Sequence, residues 1–275
     1  MVKKKTKFSK KVNQRIKTIV LATGLLICCC IVITLLFTLN KSAYRISSRI
    51  KEIKEEQKND RDGFKTIGWL KVQGTTIDSP IVGYESNSAF QMIDKEDFLW
   101  NTVKEEKMYN QVNISGHNIL NLSKQPKIGM NYFSRFDDLM AFIYEDFAKE
   151  NQYIQYTING KDYLYKIFGV FFEKEYKLDI YHKGDYTKEE MKDYIKQMKE
   201  TSFYDYDVDV DENDSVITLS TCTRFFEGTT KQFVVVGRMV REEEKVKKYD
   251  VKANAKYKEI KEIMKGDEQD EKTEV

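Results

Sequence analysis

Residues 18–39 form an uncharged run of Leu, Ile, Val and small residues, and this run constrains the chain's organisation more than any other feature. At roughly 20 residues it matches a helix across the ~30 Å hydrocarbon core of a bilayer. Lys3, Lys4, Lys5, Lys7, Lys10, Lys11, Arg15 and Lys17 precede it, with no acidic residue among them. A basic flank of this kind stays in the cytoplasm. A cleaved signal peptide is the competing reading, but its apolar core spans only about 7–15 residues and ends at a small-x-small site. This run is longer and no such site follows it. The expectation is a cytoplasmic arm (1–17), a single-pass signal-anchor (18–39) and an extracellular remainder at the cell membrane.

Three of the four cysteines, Cys28, Cys29 and Cys30, lie inside the apolar run, and Cys222 lies far beyond it. No disulfide can staple the exported part, which must rest on a hydrophobic core. Roughly 180 residues suffice for one such core. The net charge of +2 does not point to a nucleic-acid partner. Cys222 is therefore either a small buried hydrophobe or a free reactive thiol.

Residues 40–62 read as a helical stalk, with Ile46, Ile50 and Ile53 at helical spacing among charges, and are expected to act as a solvated spacer. From residue 63 to 241 the pattern is mainly strands. Ile67–Val72 and Thr76–Val82 are two short strands, and Phe98–Trp100 and Gln111–Ser115 follow. Phe133–Tyr144 reads as a short helix and turn. Tyr153–Ile158 and Lys161–Val170 form a hairpin across Asn159-Gly160, which supplies positive φ. Thr187–Glu200 is an amphipathic helix with Thr187 as N-cap. Ser215–Leu219 and Phe233–Val240 complete the strands. The expected fold is mainly β, a closed barrel with peripheral helices. Residues 242–275 read as a charged tail, helical over 256–265 and disordered from Gly266. The acidic run Asp205–Asp214 lacks the glycine and terminal glutamate of an EF-hand and reads as a solvated loop.

A reactive thiol needs a group to exchange its proton with. There are only two histidines. His117 follows a strand and the small residue Gly116, a setting that exposes a side chain at a barrel rim. His182 sits in a polar loop and is the weaker choice. Trp69 and Trp100 read as core residues.

Thr218-Leu219-Ser220-Thr221-Cys222-Thr223 resembles the signature of the sortases, membrane-anchored cysteine transpeptidases of Gram-positive bacteria. Ser115-Gly116-His117-Asn118 is similar to their histidine motif. Ile67-Gly68-Trp69-Leu70 through Ile77-Asp78-Ser79-Pro80-Ile81 resembles their first strands, and Gln232 to Met239 resembles the strand after the cysteine. The likeness runs from about residue 64 to 241. The helix before the barrel and the one ahead of the cysteine strand are most similar to class B.

The resemblance implies a sortase-like barrel in which Cys222 attacks a C-terminal sorting signal and forms an acyl-thioester. His117 then serves as proton donor and acceptor, and the amine of a lipid II-type cell-wall precursor resolves the intermediate. It implies no metal or cofactor. Ser220 and Thr221 read equally as substrate-pocket residues or as plain strand formers. One position departs from the family. Sortases carry an arginine just before the apolar run of the next strand, and Gln232 stands there. Three readings follow: Gln232 acts as a neutral donor, Arg224 takes over the charge, or the protein is a weak or inactive sortase-like binding protein. Arg238 matches a basic position that is not the catalytic one.

Overall fold

The computed structural model describes residues 17–32, 34, 48–58, 64–84, 99–101, 107–118, 136–173, 185–226 and 231–273. The chain divides into two compact units, Met1–Ser48 and Arg49–Val275. In the first, residues 17–32 form an exposed helix, α1. Among the described residues no helix is long and apolar enough to cross a membrane. Residues 33 and 35–39 of the expected membrane span lie outside them.

Helix α2 spans residues 48–57 and from Arg49 onward belongs to the second unit. It was expected to be a solvated spacer, but it packs on the barrel. Ile53 is buried, and Gln57 Nε2 donates to the Thr66 carbonyl at 2.9 Å. Arg49 pairs with Asp78 at 2.7 Å and lies over the Trp69 ring at 4.2 Å. Trp69 is not simply a core residue, because its Nε1–H donates to Asp78 Oδ1. Of the isoleucines that read as a stalk, Ile50 and Ile53 lie on the contact face of a docked helix, and Ile46 lies outside the described residues.

Eight strands close into a barrel. They are β1 (Phe64–Val72), β2 (Asp78–Tyr84), β3 (Leu99–Asn101), β4 (Gln111–Gly116), β5 (Tyr153–Ile158), β6 (Lys161–Glu173), β8 (Val216–Thr223) and β9 (Lys231–Met239), in the order β1-β2-β3-β4-β8-β9-β6-β5. Closure pairs β1 with β5 and removes the exposed edges of an open sheet. Asn159 and Gly160 both take positive φ, 52° and 69°, as the β5–β6 hairpin requires. Buried Leu139, Phe142 and Ile143 come from a 3-10 helix, Asp137–Ile143, which leads into α3 (Glu145–Glu150).

Alternation sets the two faces of the central strands. On β4, Val112 and Ile114 point one way, and Gln111, Asn113 and Ser115 the other. Helix α4 (Lys188–Thr201) covers the second face. Its Tyr194 hydroxyl bonds Thr218 Oγ1, and Met198 comes close to Gly169. A capping box, with Thr187 and Glu190 bonding each other's backbone N–H, starts α4 where the sequence indicated.

The segment after Arg241 differs from the expected tail. β10 (Val251–Ala253) pairs with β7 (Tyr204–Tyr206), and α5 runs from Ala255 to Thr273. Tyr257 and Ile260 are buried in the core. Tyr257 stacks on Phe203 and packs against Tyr204. Glu244 pairs with buried Arg238 and Lys166, and those two cations hold its carboxyl well below the ordinary range. The sparse aromatics of a highly charged segment are its anchors.

Candidate active site

Cys222 is the penultimate residue of β8 and is partly exposed. Parallel to it runs β4, in a register that pairs Gly116 with Thr221. One residue further, that register sets His117 beside Cys222 at the end of the strand pair. Two hydrogen bonds bracket the histidine. Thr221 Oγ1 donates to the Gly116 carbonyl at 2.7 Å, and Asn118 Nδ2 donates to the Cys222 carbonyl at 3.0 Å. The residues on either side of His117 are thus tied to the cysteine strand, and the loop leaving β4 cannot shift without breaking a buried bond. Asn118 is itself 6% exposed. It stands inside the Ser115-Gly116-His117-Asn118 motif, but sequence reasoning assigned it no role.

On the other side of β8, Cys222 pairs with Gln232 of β9. Gln232 in turn pairs with Glu173, the last residue of β6. Directly opposed residues share a face of the sheet, so Cys222, Gln232 and Glu173 form one row across three strands, with His117 following the end of β4 at its edge. Gln232 and Glu173 are 5% and 7% exposed. Glu173 escaped the sequence reading because only the β6–β9 register brings it into this row.

The remaining sequence candidates separate. Ser220 shares the Cys222 face one row below, buried and bonded to Ser115 Oγ at 2.7 Å. Thr221 alternates to the opposite face, where its hydroxyl serves the Gly116 carbonyl. Arg224 is exposed beyond the strand end, between fully buried Thr223 and Phe225. Phe225 stacks on Phe172 at 4.7 Å and pins the turn that follows the cysteine. Arg238 is six residues along β9 from Gln232, roughly 20 Å at strand spacing. It is buried in the Glu244 ion pair and does not belong to this site. His182 lies outside the described residues.

No group of three or more His, Cys, Asp or Glu among the described residues could hold a metal. In the acidic run, Arg241 fills the space between carboxylates, pairing with Asp209 at 2.8 Å, Asp211 at 3.3 Å and Asp214 at 2.7 Å. The loop is largely solvated, as expected, with Asp205, Asp207 and Asp209 exposed, and buried Asp214 adds an anchor through Arg241.

The chemistry available to this row is acyl transfer. It offers a thiol at a strand end, a histidine just past the end of the parallel strand, and an amide on the neighbouring strand. A family model described as the sortase domain matches residues 70–240. Sortase B of Listeria monocytogenes is 26% identical over 223 residues, covering 74% of this chain and 80% of that protein. Sortase B of Staphylococcus aureus is 25% identical over 182 residues, covering 64% and 70%. A solved cysteine-to-serine mutant form of Clostridium perfringens sortase B superposes with a TM-score of 0.55 at 24% identity, over 68% of this chain and 86% of that one. This chain belongs to the sortase family of cysteine transpeptidases, the enzymes of cell-wall anchoring, and is like its class B members.

Proposed function

We propose that this protein is a membrane-anchored transpeptidase in which Cys222 and His117 carry the reaction. The bracketing of His117 by Thr221 and Asn118 supports this reading most directly. The Cys222 thiolate attacks the scissile carbonyl of a sorting signal, and an S–C bond forms as the carbonyl π-pair moves onto oxygen. Collapse of that adduct breaks the C–N bond, and protonated His117 gives its proton to the leaving amine. An amine of a cell-wall precursor then attacks the thioester. His117 takes a proton from it as the thiolate departs.

The oxyanion needs a donor. Gln232 serves as that donor, because it stands directly opposite Cys222 on the same face of the sheet. Arg224 is the weaker choice because it is exposed beyond the strand end. Substrate and acceptor classes follow from relatives that share the fold. One solved S. aureus sortase B is a substrate complex, and another sortase B is complexed with triglycine. Anchoring rests on residues 18–39 and the basic arm before them, which would leave the barrel outside the cell.

The test incubates residues 41–275 with quenched sorting-type peptides and an amine acceptor. Cleavage should require both Cys222 and His117. Cleavage that survives Cys222→Ala would sink the mechanism. A second reading has one observation behind it, the neutral Gln232 in place of the family's arginine. A sortase-like binding protein would bind sorting peptides, cleave none, and leave its thiol inert to methanethiosulfonate. Protease treatment of intact cells tests the topology, since an extracellular barrel should be digested while the arm survives.

A further inference from the structure

Helix α4 buries Met191, Ile195 and Met198 in the apolar core, and beside them its Tyr194 reaches a polar patch. On the face that it covers, β4 contributes Gln111, Asn113 and Ser115, and β8 contributes Thr218 and Ser220. All five are buried. Most of their polar atoms satisfy one another. Ser115 bonds Ser220, Tyr194 bonds Thr218, and Gln111 Nε2 donates to Asn113 Oδ1 at 2.6 Å. Two atoms stand apart: Gln111 Oε1 and Asn113 Nδ2 are fully buried and have no hydrogen-bond partner among the described residues.

Folded proteins rarely keep such atoms bare, because each gave up a bond to water on folding. Here an acceptor and a donor lie side by side on one strand, in side chains 3% and 4% exposed. Reversing both amides exchanges donor for acceptor and still leaves one of each. An acceptor beside a donor is the complement of a water molecule. Thr218, paired with Asn113 across the strands, offers a third polar neighbour, which brings the count to the usual number of partners for a buried water.

We propose that Gln111 and Asn113 bind one ordered water beside Thr218, the residue whose hydroxyl bonds Tyr194 of α4. Water donates to Gln111 Oε1 and accepts from Asn113 Nδ2. The site is separate from the thiol, since Gln111 lies six positions back from His117, roughly 20 Å along the strand.

A high-resolution crystal structure of the chain tests this directly. It should show a water peak within hydrogen-bond distance of both Gln111 Oε1 and Asn113 Nδ2. Clear density without that water, or direct protein partners for both atoms, overturns the proposal. Substitution supplies a second readout. Gln111→Leu or Asn113→Leu alone should lower the melting temperature by about 3 °C or more, because the remaining amide loses its side-chain partner and its water together. The double leucine variant should recover part of that loss and show no water at the site. A double loss equal to the sum of the two singles would overturn the proposal. If a variant fails to fold, the wild-type density decides.

Discussion

Asn118 holds the carbonyl of Cys222 at 3.0 Å through its side-chain amide, so the residue after the histidine grips the residue that carries the thiol. With Thr221 gripping the Gly116 carbonyl on the other side, the backbone on both sides of His117 is tied to the cysteine strand. A displacement of about 1 Å in such a pair can cost on the order of a hundredfold in rate.

Asn118→Ala should therefore lower kcat by about tenfold to a hundredfold while leaving KM for the sorting peptide nearly unchanged. Steady-state kinetics on a quenched peptide checks this. A loss confined to KM would assign Asn118 to substrate binding.

Gln232→Arg should raise kcat, on the order of tenfold, because a charged donor on the Cys222 face stabilises the oxyanion more strongly than a neutral amide. Glu173, next in the row, offers the new guanidinium a carboxylate at a buried position. Gln232→Ala should lower kcat, and Arg224→Ala should leave it close to wild type. If Arg224→Ala is the damaging change, the donor role belongs to Arg224.

Glu244→Gln should destabilise the fold at neutral pH by about 3 kcal/mol, near the low end for breaking a buried pair. Arg238 stays buried and keeps the Asp209 and Met239 carbonyls as acceptors. The folded-state carboxyl is held below its ordinary value, so its contribution is present above the unfolded pKa near 4.3 and fades as pH falls below it. Denaturant melts of the two proteins should converge between neutral pH and strong acid. A gap independent of pH would refute the ion-pair account.

Removing residues 242–275 should abolish cooperative thermal unfolding. The deletion takes away the partner of Arg238, the Tyr249 hydroxyl bonded to the Gln152 and Ile167 carbonyls, and the Tyr257 cover over Phe203. A truncated protein that melts like the full chain would return this segment to the status of a tail.

Much of the barrel could be read from local pattern, since strand alternation, the Asn159-Gly160 turn and the Thr187 cap are each decided within a few residues. The C-terminal segment could not be read in this way. Its Tyr249, Tyr257 and Ile260 are isolated among lysines and glutamates, and nothing nearby in the chain marks the aromatic surface they cover. The α2 helix misled for the same reason, because Ile53 meets its partners only across the fold.

The sequence by itself determined the chemistry on offer: one cysteine beyond the apolar run, two histidines, and a glutamine where the family keeps an arginine. Tertiary structure alone decided which of these residues meet. Strand register brings Gln232 and Glu173 into the row of Cys222, sets His117 beside its end, places Arg238 at the far end of β9 and turns Thr221 to the other face. Side chains alternate with a period of two, so a shift of one residue in any one of these pairings would have moved that strand's residue out of the row.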